Sequence, residues 1–506
     1  MKKKQEIVYW WLPLLALCLI AYCLQINLFL YKDVSILSHT AALMLEGQTY
    51  AHDIFEPNPP IIFYLHIPPV ILAKLTGIKI IYCLRLYLIA LILDCIVCSH
   101  FLFTKLFKQV SMLNYLMSYA LAFILLFLPA EQFGQREHFL LILTIPYLLL
   151  AAYRLDGGNV KTSFAVLIGI MAGIGFSIKP FFLTALLLIE LFFIYRKKSI
   201  FGWFRVESII AALILLFYGL AVILFFPDYW QIVLPLWMPY YKGIVQPWGV
   251  VLSSPLFLLS CVAMVSSCFV KPCDPYKGIK IIFSLTLLGY LITFLIPRVD
   301  WYYHIIPALS IACLYFVLIF GELLDKTTKS STPIVEMALI GILALMVFSM
   351  PILNGVTLTS RSITYAHSDS PLKKLITFLN QHGPNNSYDF FSMTHQLYNL
   401  KFYSTASYVG SFPFCGWEYN RAPLKNHSIA YQREMLPYIL NILSHDLDDK
   451  KPRFVIIDIP SSENYLNHRI DYPKKYSHNK KFKEAWSHYA YSTSIGPYEI
   501  YERQPS

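Results

Sequence analysis

Charged side chains are scarce in this chain of 506 residues: Asp, Glu, Lys and Arg make up 14%, against 57% hydrophobic residues. A water-soluble fold of that length would need far more polar surface, and apolar runs of about 18–25 residues recur, the length that crosses a bilayer core of roughly 30 Å. Zinc-spaced cysteine pairs are missing too. Cys95 and Cys98 have the right gap but lie inside a hydrophobic run, and nine of the ten cysteines lie in or beside apolar segments with only Cys415 in the polar tail, so core packing is expected rather than a metal site or a disulfide framework. No solenoid-like repeat is visible. The opening MKKKQEIVYWWLPLLALCLIAYCLQINLFL has a basic start, but its apolar stretch exceeds the roughly 7–15 residues of a signal-peptide core and no small-residue cleavage site follows, so an uncleaved first span is expected. The formal charge of +11 does not indicate nucleic acid, because the basic residues sit in short clusters between apolar runs, as the positive-inside rule requires.

Residues 60–77, PIIFYLHIPPVILAKLTG, decide the topology. If this segment crossed the bilayer, the basic clusters at Lys105/Lys108, Arg196/Lys197/Lys198, Lys271/Lys277/Lys280 and Lys326/Lys329 would lie opposite Lys2 to Lys4. Laid along the interface instead, it leaves about eleven spans, near 7–29, 80–103, 112–129, 138–153, 162–178, 181–195, 206–226, 251–270, 281–296, 304–322 and 333–352. The expected fold is thus a polytopic α-helical membrane protein over residues 1–352, with interfacial helices in the first external loop and a small α/β soluble domain over 353–506. The N-terminus is placed in the cytoplasm and the tail outside, periplasmic if the membrane is a bacterial inner membrane. In the tail, Ser370-Pro371 opens a helix that Gly383 closes, MLPYILNILSHDL reads as a second helix, and RFVIID and PYEIYER as strands.

That topology puts the ionisable groups of well-separated loops on one side: Asp33, His39, His52, Asp53 and Glu56; Glu131, Arg136, Glu137 and His138; Lys179; Arg298, Asp300 and His304. Location at span ends explains some of them, since charge near the interface costs little. Acids alternating with cations also suit a reaction that deprotonates a hydroxyl and expels a phosphate: a carboxylate or imidazole serves as base, and cations neutralise the leaving group. Polyprenyl-phosphate sugars are membrane donors of that kind. Arg85 either binds lipid phosphate or snorkels, Asp94 is expected to pair with a neighbouring helix, and Trp237, Tyr240, Tyr241 and Trp248 either stack on a sugar or form an interfacial aromatic belt, the commoner arrangement.

At these residues the chain resembles the GT-C superfamily of polytopic glycosyltransferases that use lipid-phosphate sugars, among them protein O-mannosyltransferases and the lipid A aminoarabinose transferase. The resemblance rests on Asp33 after the first span, then AALMLEGQTY, Asp53 and Asn58-Pro59-Pro60 before IIFYLHIPP, with Glu137 in GQREH, the Lys-Pro of FSIKPFF and the WYYH before a late span. It implies an inverting glycosyltransferase acting at the outer face, with Asp33 as the acceptor-activating base and Glu137 as a second acid. Arg136 and Lys179 would hold the donor phosphate, and Asp53, Arg85, His138, Tyr303 and His304 would complete the substrate pocket. The implied partners are membrane lipid, a polyprenyl-phosphate sugar donor and a carbohydrate, lipid or protein acceptor, without nucleic acid. The chain departs from the family in two places. Val34 follows Asp33 where many protein mannosyltransferases have an Asp-Glu pair, and no Asp-X-Asp stands in the second loop, so no cofactor and no metal-bridged donor pyrophosphate are expected. A lipid-sugar flippase, resting on Asp94 and Glu190, and an envelope polysaccharide polymerase or ligase are the alternatives.

Overall fold

The computed structural model describes residues 2–107, 111–243, 245–267, 276–327, 349–364, 369–391, 397, 399–410, 436–458 and 471–505. In chain order its helices are α1 (Lys2–Ile26), α2 (Lys32–Leu45), α3 (Ile61–Thr76), α4 (Ile80–Leu106), α5 (Ser111–Phe127), α6 (Arg136–Leu155), α7 (Thr162–Ser177), α8 (Leu183–Lys197), α9 (Val206–Phe225), α10 (Leu234–Gly243), α11 (Trp248–Leu252), α12 (Pro255–Ser267), α13 (Lys277–Leu295) and α14 (Tyr302–Thr327). The tail adds α15 (Pro371–His382), α16 (Asn399–Tyr403), α17 (Leu436–His445), α18 (Tyr472–Tyr476) and α19 (Lys480–Trp486), with strands β1 (Ser387–Phe391), β2 (Ser407–Tyr408), β3 (Phe454–Asp458), β4 (Tyr489–Ile495) and β5 (Tyr498–Arg503). Each apolar stretch expected to span before residue 330 overlaps one of these helices, except that 251–270 takes in the end of α11 and all of α12, and its residues 268–270 lie outside the described residues. Among the described residues five of them, α4, α6, α9, α13 and α14 as far as Glu322, are long and apolar enough to cross a bilayer. The protein is a multi-pass membrane protein. The expected span 333–352 lies outside the described residues apart from 349–352, and a helical stretch covers 349–364.

The chain forms two compact units: residues 1–27, 84–221 and 246–363 in the first, and 28–83, 222–245 and 364–506 in the second. The first is a helical bundle. Small residues set its closest crossings: a Cβ on Gly289 of α13 would lie 2.5 Å from the Ala185 backbone of α8, and one on Gly169 of α7 would lie 2.7 Å from the Glu207 carbonyl of α9. At one end of the bundle Arg154 holds Glu207 through two 3.1 Å bonds, Arg205 reaches Glu190 at 2.5 Å and Lys280 pairs with Glu322. Ser208 and Tyr147 also donate to Glu190, so the acid that left a flippase reading open is committed to a local network. Asp94 departs from expectation: its side chain is exposed on the outside of α4.

The second unit joins three stretches that the sequence places on a common side of the membrane, the first loop, residues 222–245 and the tail. Its sheet has the order β2-β1-β3-β5-β4, with β2, β1 and β3 parallel and β5 antiparallel to both of its neighbours. α15 begins as the sequence reading expects: Ser370 Oγ accepts from the Lys373 N–H at 3.3 Å, Pro371 occupies the first helical position, and Gly383 follows the last turn at φ +79°. Leu372, Leu375, Ile376 and Leu379 of that helix pack on Tyr388, Phe390, Phe454, Ile456 and Ile500 of the sheet. Ile36 from α2 is buried in that same core, and Phe29 packs against it. α3, at about 24 Å, is shorter than a bilayer core. It packs on α2, where Ser38 Oγ and His66 Nδ1 lie 3.0 Å apart.

Candidate active site

The bundle end opposite the Arg154–Glu207 network is knotted together by side chains from distant loops. Gln25 donates to the Ala130 carbonyl at 3.0 Å, Asn27 bonds Ser362 at 3.1 Å, and Asn354 donates to the Leu128 carbonyl and to the Tyr302 hydroxyl at 2.7 and 2.6 Å. Arg361 pairs with Glu131 there. Gln246 accepts from the Asp300 N–H through its carboxamide at 2.6 Å and exchanges two further bonds with Arg298, whose guanidinium lies 4.5 Å from the Trp248 ring. Ala130 and Arg298 both sit at φ +51°, a region in which non-glycine backbone is strained. Such strain is kept where the surrounding contacts over-determine it.

Four of the expected site residues meet at this end. α6 starts at Arg136, whose N–H is capped by the Gln135 side chain at 3.3 Å, so Arg136 and Glu137 occupy the first turn of a buried helix. Lys179, in the break between α7 and α8, donates to Glu137 Oε1. Glu137 is 1% exposed, and its other oxygen, Oε2, is buried with no hydrogen-bond partner among the described residues. Tyr303, in the first turn of α14, completes the group: the Arg136 guanidinium and the Lys179 ammonium each lie 5.5 Å from its ring centroid. An aromatic face beneath two cations stabilises both electrostatically. Three stretches more than a hundred residues apart at their extremes thus build one buried patch that offers an acid, two cations and an aromatic face.

The other expected residues are placed differently. His304 stacks edge-on with Tyr303, and its Nδ1 lies 3.3 Å from the Val299 carbonyl, which ties it to the loop before α14. His138 is fully buried; its Nδ1 accepts from the Gly134 N–H at 3.1 Å and its Nε2 donates to the Leu125 carbonyl at 2.9 Å. Both ring nitrogens serve the backbone, so His138 fixes the turn before Arg136 and keeps neither nitrogen for a ligand. Arg85 is buried near the start of α4.

In the second unit Asp33 stands half-buried in the first turn of α2, the helix end that favours an anionic side chain. Asp53 accepts from the Thr49 N–H at 3.2 Å and so closes its own turn. Glu56, the third acid of that loop, is buried and held by Asn58. The sequence reading missed Asn399. Its carboxamide bonds both backbone groups of Leu30, three residues before Asp33. A polar residue at the start of a short helix gives no sign of a partner 369 positions away.

No protein-family model matches the chain, and no curated protein matches it. Among solved structures, the crystal structure of ArnT from Cupriavidus metallidurans bound to undecaprenyl phosphate superposes with a TM-score of 0.55 at 11% identity, covering 99% of this chain and 100% of that one. The fold is that of ArnT. The apo form of the same ArnT gives a TM-score of 0.52 at 11% identity over 99% of this chain and all of that chain. The ArnT likeness therefore covers the helices, the first loop and the tail sheet. At so low an identity the agreement with ArnT is one of fold.

Proposed function

We propose that the chain is an inverting glycosyltransferase that moves a sugar from a polyprenyl-phosphate donor to an envelope or protein acceptor at the outer face of the membrane, using about eleven spans and a tail on the same side as the first loop. The observation that carries this reading is the buried Arg136–Glu137–Lys179–Tyr303 patch, in a chain with the fold of an ArnT that was crystallised with undecaprenyl phosphate. Arg136 and Lys179 are the groups suited to a phosphate, because two cations in a poorly solvated place stabilise the dianion that grows as the sugar leaves. Asp33 takes the acceptor proton, the freed oxygen attacks the anomeric carbon, and the bond from that carbon to the phosphate oxygen breaks. Phosphate is a good enough leaving group to depart unprotonated, so one base suffices and the anomeric centre inverts. Glu137 Oε2 is an acceptor for a sugar or acceptor hydroxyl, and Tyr303 and His304 shape the same pocket. Asp53 and His138 act through the turns they close, and Arg85 is a further phosphate contact.

The test is release of polyprenyl phosphate from a polyprenyl-phosphate sugar by the full chain in proteoliposomes. Asp33→Asn is expected to insert normally and lose transfer by about 10²–10⁴-fold, the usual worth of a positioned base. Retained transfer by Asp33→Asn would remove the base assignment. Retained donor release by an Arg136→Ala, Lys179→Ala double variant would remove the phosphate site and with it the transferase reading.

A further inference from the structure

Helix α4 has one side that its own unit leaves largely exposed, the Phe101 ring at its end meeting Phe164 of α7 edge-on at 5.0 Å. Leu86, Ala90, Asp94, Val97 and Phe101 are all exposed and follow one another at steps of four, four, three and four residues. At 3.6 residues per turn they fall within an arc of about 80°, while Leu84, Leu88, Ile92 and Ser99 turn inward and are buried. A seam with that spacing is what two packed helices share. Asp94 lies at its middle, and in a helix of 27 residues either end is about 20 Å away. Its short side chain does not reach a headgroup from there, unlike a lysine or arginine that snorkels. Among the described residues Asp94 makes no hydrogen bond or ion pair. A carboxylate facing hydrocarbon at mid-bilayer is costly, and intramembrane acids are kept where a partner or an aqueous cavity meets them.

We propose that this stripe of α4 docks a transmembrane helix of a second, different polypeptide carrying a lysine, arginine or histidine near the middle of its span. Lipid tails supply no donor for Asp94. A second copy of this chain, related by a two-fold axis through the stripe, would set Asp94 against Asp94, and like charges in a low dielectric repel. A foreign helix with a central cation satisfies the carboxylate, and Ala90, one turn away, lets the two backbones approach. The proposal does not depend on the transferase reading.

The probe is a pair of synthetic leucine-rich peptides of bilayer-spanning length, one with a single central lysine and one without, titrated by energy transfer against the full chain in lipid bilayers. The lysine peptide is expected to associate about 10-fold more tightly than the all-leucine peptide. Asp94→Leu should abolish that difference, and Asp94→Asn should reduce it. Because Asp94→Leu also removes a charge from the hydrocarbon, the isolated variant should unfold at the same temperature as the parent or higher. Equal binding of the two peptides, or an unchanged preference in Asp94→Leu, overturns the proposal. So does a photocrosslinker at Val97 that joins two copies of this chain, or a loss of stability in Asp94→Leu that would place the carboxylate inside its own fold.

Discussion

The carboxamide of Asn399 grips Leu30 from both sides: its Oδ1 accepts from the Leu30 N–H at 3.1 Å and its Nδ2 donates to the Leu30 carbonyl at 3.2 Å. Asn399 and Leu30 are both buried, so no water replaces the pair. This is how the tail fixes the entrance to α2 and the position of Asp33.

Asn399→Ala should therefore destabilise the second unit by about 2–4 kcal/mol, the cost of leaving a buried donor and a buried acceptor unmade. Thermal unfolding followed by tail fluorescence measures it. Transfer activity should fall along with stability, because Asp33 lies three residues beyond the gripped position. An unfolding temperature equal to that of the parent would show that the grip contributes nothing.

The Glu137–Lys179 pair separates structure from chemistry in a double-variant cycle. Lys179→Met leaves a buried carboxylate without its cation and should cost roughly 3–5 kcal/mol. Glu137→Gln should cost less. The double variant should regain most of the lost stability while remaining inactive, since stability needs only balanced charge and the proposed reaction needs both groups. Recovery of transfer in the double variant would assign the pair to folding alone.

Asp389 on β1 makes a pH prediction. Burial, then the neighbouring Asp446 carboxylate, hold its carboxyl well above the usual range, against the opposing pull of the Phe390 N–H and Lys450. An acid raised in the folded state stabilises below its unfolded value of about 3.9, and that contribution is lost as pH rises toward the folded value. At neutral pH Asp389 thus weakens the tail relative to a neutral isostere. Asp389→Asn keeps an oxygen to accept from the Phe390 N–H at 2.7 Å. It should raise the unfolding temperature at neutral pH and flatten the decline that sets in above about pH 4, both measurable by a thermal scan in a buffer series.

Much of the bundle is legible in the sequence, because hydrophobic length and charge placement answer to the membrane directly. Arg136, Glu137, Lys179 and Tyr303 do meet, as their shared position at span ends suggests. Ser370 and Gly383 mark α15 through local backbone chemistry that needs no tertiary information. Three features escape such a reading because they depend on contacts across long separations. Ile36 is buried by strands more than three hundred residues later. His138 looks like a ligand until the Leu125 carbonyl claims its second nitrogen. Asp94 reads as the partner of a neighbouring helix but is exposed, because periodicity alone does not say which side of a helix apolar all round faces its own bundle.

The burial of Ile36 and Phe29 has a practical corollary. A fragment cut at residue 353 would carry an open notch where those two side chains belong, and would be sticky in solution. Supplied separately, the peptide 28–83 should act as its missing piece, so a split protein complemented in trans is the form in which the tail can be studied outside the membrane.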